Sequence, residues 1–434
     1  MEPITIALIT VFLVFILILL GVHIGVALAL LSVIGIWAIT GKPQVAISLL
    51  NTTSYSAIMD YIFAVIPLFV LMGLLATMSG ATRDLFSASQ VIFGRIRGGI
   101  GIATVIANAV FAAITGVSVA SAAVFSKLAI PEMERLNYDR KFSYGIVASS
   151  ALLGMLIPPS VLMIIWGIVA EVSIGRLFIG GMLPGVVLAC LFAIYSMVAA
   201  VARPDIAPNP RSEGYRPITG AEKISGLGVI ILILLVLGGL YGGLFTPSES
   251  AAVGAIGGLL LAIIKGIGWA GIREAIIDSG KTIAPIMFLL LTAQMYTRLL
   301  ATGGVVNLIQ DSIASAGFAP IVVVLVMVVI WLILGTLLDS ASIILLTVPI
   351  FWPLAQGFGY DPYVFGIFGI LAIEAGLLTP PVGLLVYAVK GAVADKSVTL
   401  TEIFAGSIPY WLLILVLMAI ILAVPEIVTI LMPE

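Results

Sequence analysis

Runs of about twenty mostly apolar residues recur along the whole chain, and each is long enough to cross a bilayer as one helix. Ten stand at 4–22, 24–41, 61–80, 142–170, 176–202, 224–244, 247–265, 282–302, 362–390 and 403–431. The 434 residues hold only 19 Lys+Arg and 21 Asp+Glu, 9% charged in all, where a soluble domain carries about a quarter. No water-exposed surface can be built from so few charges, so a soluble enzyme is excluded. The chain reads as an all-α polytopic membrane protein.

Several other classes fall away as quickly. A net charge of -2 points to no nucleic acid partner. Cys190 is the only cysteine and His23 the only histidine, which leaves no disulfide framework and no Cys/His metal set. The first run starts behind Glu2 with no basic region and no small-residue cleavage site, and reads as a retained helix, not a signal peptide.

Two further apolar stretches, 98–131 and 317–356, are too long for one helix, and small polar residues break each in the middle: Thr115-Gly116-Val117-Ser118 and Gly335-Thr336. They read as re-entrant helical hairpins. The segments 43–59, 81–97, 266–281 and 303–316 are shorter and of mixed polarity, and suit helices lying along the interface. A polar linker, 203–223, cuts the chain near its midpoint. Its Arg203, Arg211, Arg216 and Lys223 place it in the cytoplasm, as Arg95, Arg97, Arg135, Arg140 and Lys141 place the base of the first hairpin. The second hairpin is flanked by Asp311 and Asp361 without Lys or Arg, which puts it outside. Threading the ten crossings through these constraints leaves both termini outside.

The two halves share their punctuation. Pro67, Gly116 and Pro131 are spaced 49 and 15 apart; Pro285, Gly335 and Pro349 are spaced 50 and 14 apart. Tyr138-Asp139, Gly154, Leu156 and Pro158-Pro159 recur at a shift of 222 as Tyr360-Asp361, Gly376, Leu378 and Pro380-Pro381. Each half, 1–202 and 224–434, has an odd number of crossings, so the repeats must be inverted. Inverted repeats with interrupted helices hold substrate and coupling ion at their shared midplane.

A double proline removes two amide donors in succession and frees carbonyls one turn earlier. Free backbone groups at membrane depth are tolerated only where protein or a water-filled cavity covers them. Each hairpin tip, rich in Gly, Ser and Thr, facing such a turn gives a cluster of neutral oxygens, the ligands hard cations take. That makes two candidate sodium sites, one per repeat; a bare kink in a long helix is the simpler alternative.

Beyond these patterns, the chain resembles a known family. Ile114-Thr-Gly-Val-Ser-Val-Ala-Ser-Ala-Ala, Ile130-Pro-Glu-Met, Asn137-Tyr-Asp and Leu156-Ile-Pro-Pro-Ser are similar to motifs of the large membrane subunit of tripartite ATP-independent periplasmic (TRAP) transporters, the DctM type. So are Ile174-Gly-Arg-Leu-Phe-Ile-Gly-Gly-Met-Leu-Pro-Gly, Thr246-Pro-Ser-Glu-Ser-Ala-Ala-Val-Gly and Leu378-Thr-Pro-Pro-Val-Gly, and the likeness runs from about Ile4 to Val428. The resemblance implies an elevator-type importer in which a transport domain, about 98–172 and 317–392, slides against a scaffold made of the rest. It implies sodium as coupling ion, a small four-helix membrane subunit (DctQ type), and a periplasmic binding protein (DctP type) that delivers an organic acid. Carried over by the resemblance, one sodium site falls on Gly116, Ser118, Gly154, Ile157 and Pro159. The other falls on Gly335, Gly376, Thr379 and Val382, mostly through main-chain carbonyls. The shift of 222 maps Gly154 onto Gly376 and Ile157 onto Thr379, in agreement.

Ionisable groups within spans are functional suspects. Asp339, one turn beyond Gly335, either offsets sodium charge or caps the second arm of its hairpin; both readings stay open. Glu374 is placed to hold the interrupted turn from behind. Thr115, Ser118, Ser121, Ser340 and Ser342 are candidates to meet a carboxylate. Lys127 reads as snorkelling to the cytoplasmic base, Arg298 as an outer anchor or recruiter of anions, and Glu249 as part of an N-cap.

The function expected is a sodium-coupled permease that imports a dicarboxylate, a sialic-acid-like compound or another carboxylate. The rivals are a stand-alone sodium/anion symporter of the same architecture, a channel, and an intramembrane enzyme. The last has no metal pair or His-based dyad behind it.

Overall fold

The computed structural model describes residues 2–207 and 220–432; they form helices and turns, with no strand among them. The first half opens with α1 (Pro3–Leu19), α2 (Ile24–Thr40) and α3 (Pro43–Met59). A 3-10 turn, Tyr61–Ala64, runs into α4 (Val65–Met78), and α5 (Ala81–Phe93) follows. Next come a hairpin, α6 (Gly99–Thr115) and α7 (Ser118–Arg135), and an interrupted helix, α8 (Arg140–Ser150), α9 (Leu153–Leu156) and α10 (Val161–Val169). The long α11 (Ile174–Ala202) closes the half. The second half follows a similar plan with four helices before its hairpin where the first has five: α12 (Gly220–Tyr241), α13 (Pro247–Ile264), α14 (Trp269–Gly303) and α15 (Val305–Ala316) precede α16 (Pro320–Gly335) and α17 (Ser340–Gly357). The interrupted helix α18 (Pro362–Gly376) and α19 (Leu384–Ala392) and the closing α20 (Leu400–Ala423) and α21 (Glu426–Thr429) complete it.

Both hairpins break where the sequence placed the breaks, and both interrupted helices stop at their double prolines, each of which carries a cis bond. Among the described residues six helices are long and apolar enough to cross a membrane, or seven with α8–α9 and α10 taken as one span bent by 45°. Helices α1 and α2, at 17 residues each, lie at the short end of the spanning range. One expectation is corrected. Segment 266–281 holds no separate interfacial helix: its residues 269–281 are the first part of α14, a continuous helix of 35 residues. Pro285 lies inside it without ending it, and the exposed Arg273, Glu274 and Lys281 belong to its polar end. Mixed polarity there marks where one long helix leaves the apolar layer, not a break in the backbone. Of the expected linker, residues 208–219 lie outside the described residues.

Local signals explain where the helices begin. The repeated Tyr-Asp pairs are N-caps: Asp139 accepts from the Phe142 amide at 2.9 Å, and Asp361 from the amides of Tyr363 and Val364 at 2.8 and 2.9 Å. Thr246 with Glu249 and Thr399 with Glu402 form reciprocal capping boxes, as read for Glu249. His23 caps α2 through its ring nitrogen, 3.2 Å from the Gly25 amide.

Packing gathers the helices into two bodies. In one, α4 lies on α13 and α14, α14 on α2, α2 on α1, and α12 on α13. In the other, α16 and α20 lie on α18 and α8 respectively, α19 on α7, α11 on α6, and α10 on α17. Helix α5 bridges them, packing on α12 and α6, as α15 does on α14 and α17. The second body is centred where the repeats meet. Trp166 of α10 lies 6.1 Å from Trp331 of α16 and 5.9 Å from Phe365 of α18, centroid to centroid. Gly369 makes room for the indole: a Cβ there would sit 2.4 Å from a ring carbon of Trp166.

Candidate substrate and cation site between the hairpin tips

The tip of the first hairpin turns at Gly116, whose φ of +59° is the left-handed region that glycine adopts freely. A Cβ on Gly116 would come within 3.0 Å of the Val161 amide and 3.2 Å of the Pro159 carbonyl, so the tip lies directly on the interruption of α8–α10. The second tip is seated on the end of α18, ahead of its double proline. Gly335 meets Gly376 backbone to backbone, with the Ile373 carbonyl 3.0 Å from where a Cβ would be. Small residues are required at both places, because any side chain would lift the tip away from the carbonyls it covers.

The tips face each other across a cavity of about 150 Å³. Gly116, Ser118 and Val119 line it from one hairpin, Asp339, Ser340 and Ala341 from the other, and Met155 and Leu377 from the interrupted helices. No Lys or Arg lines it. Both second arms, α7 and α17, start here, and their N-termini present positive dipole ends to the cavity. Helix α7 starts behind Val117 with no side-chain cap, which leaves its first amides free for a ligand.

Asp339 resolves toward the cap: it accepts from the Ser342 amide at 3.1 Å and from the Ser342 hydroxyl, and it lines the cavity as well. Ser340 donates to the Glu374 carboxylate at 2.6 Å. Glu374 is buried at 1% exposure and reaches the second tip from behind the interrupted turn.

Other predicted residues are placed differently. Ser121 points away from the cavity and donates to Asn108 at 2.5 Å, while Asn108 donates to Ser150 at 2.8 Å. This buried chain ties both arms of the first hairpin to α8. Asn108 is a residue the sequence reading missed; a lone Asn in an apolar run at 98–131 was the signal. Thr115 donates to the Phe111 carbonyl at 3.2 Å within its own helix. Thr379 turns toward α20: its hydroxyl donates to the Ala375 carbonyl at 2.9 Å and accepts from the Trp411 indole at 3.1 Å. Gly154 is buried in α9, and Ile157 and Val382 are half-buried in the two interruptions. The structure therefore brings together Gly116 with Pro159, Gly335 with Gly376, and Ser118 with Asp339 and Ser340. The Thr379 side chain stands on the other side of its turn. Lys127 and Arg298 are exposed and outside the cavity.

Two helical hairpins that meet tip to tip, each seated on an interrupted helix, are the kind of broken-helix arrangement that membrane transporters build around a solute site. Residues 11–427 match the family described as "Tripartite ATP-independent periplasmic transporter, DctM component", and the chain belongs to that family. It is a transporter subunit and not an enzyme. The chain is 33% identical to the C4-dicarboxylate TRAP transporter large permease protein DctM of Pseudomonas aeruginosa, over 88% of both chains. It is 29% identical to the sialic acid TRAP transporter large permease protein SiaM of Vibrio cholerae, over 86% of this chain and 87% of that one. A solved structure, the YdaH transporter of Alcanivorax borkumensis, matches with a TM-score of 0.64 over 87% of each chain at 14% identity, a likeness of fold.

Proposed function

We propose that this chain is the large permease subunit of a sodium-coupled TRAP system importing an organic acid, with both termini on the periplasmic side of a bacterial inner membrane. The observation that carries the reading is the pair of hairpin tips facing one cavity, the first against its double-proline interruption and the second against the end of α18 that precedes the other. Sodium at Gly116, Ser118, Gly154, Ile157 and Pro159, and at Gly335, Gly376, Thr379 and Val382, orders the tips. With no basic residue in the cavity, an acid is met by the N-termini of α7 and α17, by Ser118 and Ser340, and by the charge of the ions themselves. Relatives named for C4-dicarboxylates and sialic acid support a carboxylate as substrate.

The loaded domain moves as an elevator in two inverted repeats of five crossings and one hairpin each. We read the moving part as 98–172 and 317–392 together with the helices packed on them. Helices α11 and α20 lie on α6 and α8 and belong with the hairpins, while α1–α4 and α12–α14 form the scaffold. Helices α5 and α15 are the arms between the two. The word "tripartite" in the family description supports a small membrane subunit and a periplasmic binding protein as partners.

Solute uptake into proteoliposomes, holding this chain and its small subunit, tests the reading. Uptake should require both a sodium gradient and the binding protein. Sodium-driven uptake that ignores the binding protein would instead make the chain a stand-alone symporter.

A further inference from the structure

The carboxylate of Glu374 sits where the two repeats meet, and only one repeat supplies such a group. The equivalent position in the first half, 222 residues earlier, is Leu152. Both side chains are buried, Glu374 at 1% and Leu152 at 0% exposure. One oxygen of Glu374, Oε1, accepts from Ser340 of the second tip at 2.6 Å. The Ser118 hydroxyl of the first tip lies beside the same carboxylate and lines the cavity together with Ser340. The other oxygen, Oε2, is buried and has no hydrogen-bond partner among the described residues. Nor does any ion pair reach Glu374 among them.

A buried carboxylate with neither a counter-charge nor a full set of hydrogen bonds costs several kcal/mol, and burial at membrane depth removes water as the remedy. Structural packing does not require the charge, because Leu152 fills the matching place in the other repeat without one. What the arrangement lacks is a positive partner beside Oε2. The donors around it are all oxygen: one carboxylate and two hydroxyls, contributed by α18 and by both tips. Oxygen-only donors with a single negative charge suit a hard monovalent cation, and leave a divalent one underneutralised.

From this we infer that Glu374, Ser118 and Ser340 form a cation site shared by the two hairpins, additional to the one site within each repeat. It rests on the sodium-coupled reading and deepens it. A cation held at this point bonds both tips at once, so the hairpins close on the substrate together, and part of the charge of an acid in the adjoining cavity is neutralised.

The test is the number of sodium ions bound per purified chain in lipid nanodiscs, counted with radioactive sodium at constant ionic strength in choline. Glu374→Gln keeps the size of the side chain and an acceptor for Ser340 while removing the charge. It should bind one ion fewer than the unaltered chain. Ser340→Ala leaves the carboxylate in place and serves if the first variant fails to fold; it should weaken one ion by about tenfold. An unaltered ion number and affinity in a folded variant overturns the shared site and leaves the one-per-repeat reading standing. An unaltered chain that binds no sodium overturns both. A Glu374→Gln variant that loses only a proton-dependent response, with its sodium count intact, assigns the position to a proton and overturns the cation site.

Discussion

Gly335 and Gly376 lie backbone to backbone, so close that a Cβ added to Gly335 would stand 2.6 Å from the Cα of Gly376. The partners are main chain on both sides, and neither can swing aside as a flexible side chain would. Two segments 41 residues apart in sequence are thereby welded into the floor of the second tip.

Gly335→Ala should therefore cost about 1–3 kcal/mol of stability, the range for overpacking a tight contact. Uptake should fall further than the folded fraction does, because the tip is lifted off the interrupted turn. A thermal melt and an uptake assay on the same preparation check this; normal uptake with a normal melt contradicts the contact.

Asp339 serves as a helix cap and as a wall of the cavity, and two substitutions separate the roles. Asn caps nearly as well as Asp, whereas Ala loses about 1 kcal/mol. Asp339→Asn should thus melt like the unaltered chain and Asp339→Ala lower. If the charge assists cation binding, the sodium concentration for half-maximal uptake rises in both. A rise in neither leaves Asp339 a cap alone.

Lys265 at the end of α13 and Asp84 of α5 pair at 2.7 Å, with both side chains largely buried. The pair fastens α5, ahead of the first hairpin, to the end of α13. A double-mutant cycle with Asp84→Asn and Lys265→Met should give a coupling of about 1 kcal/mol. Substrate affinity should be little changed, since the pair lies far along the chain from both tips. A coupling near zero removes the anchoring role.

Cys190, the only cysteine, is exposed on α11 and lines a groove of about 310 Å³ whose walls are all apolar: Ile106, Val110, Ile157, Val186 and Leu237 among them. In intact membranes a charged, impermeant maleimide should leave it unlabelled, while an apolar maleimide dissolved in the lipid labels it. Rapid labelling by the charged reagent would place this face in water and upset the assignment of α11 as a spanning helix.

Much of the architecture was legible because the bilayer imposes simple rules. Apolar runs of spanning length, hairpins broken at Gly116 and Gly335, and interruptions at two double prolines all follow from the need to satisfy backbone groups within each segment. The Tyr-Asp caps and the Thr-Glu capping boxes were equally local. The join of 266–281 to α14 was not, because polar composition at a helix end resembles that of an interfacial helix. Which hydroxyls face the cavity was not legible either. Ser118, Ser121, Ser340 and Ser342 have the same chemistry, and only the seating of each helix turns Ser121 to Asn108 and Ser340 to Glu374.

The sequence by itself determined the class and the places where helices must break, since each depends on hydrophobicity and backbone chemistry over a few turns. The tertiary structure alone decided that the two tips share one cavity, that Thr379 turns to Trp411, and that a single carboxylate from one repeat lies beside both hairpins. Those relations join residues tens to hundreds of positions apart. They are set by the angles at which whole helices pack, which no local pattern encodes.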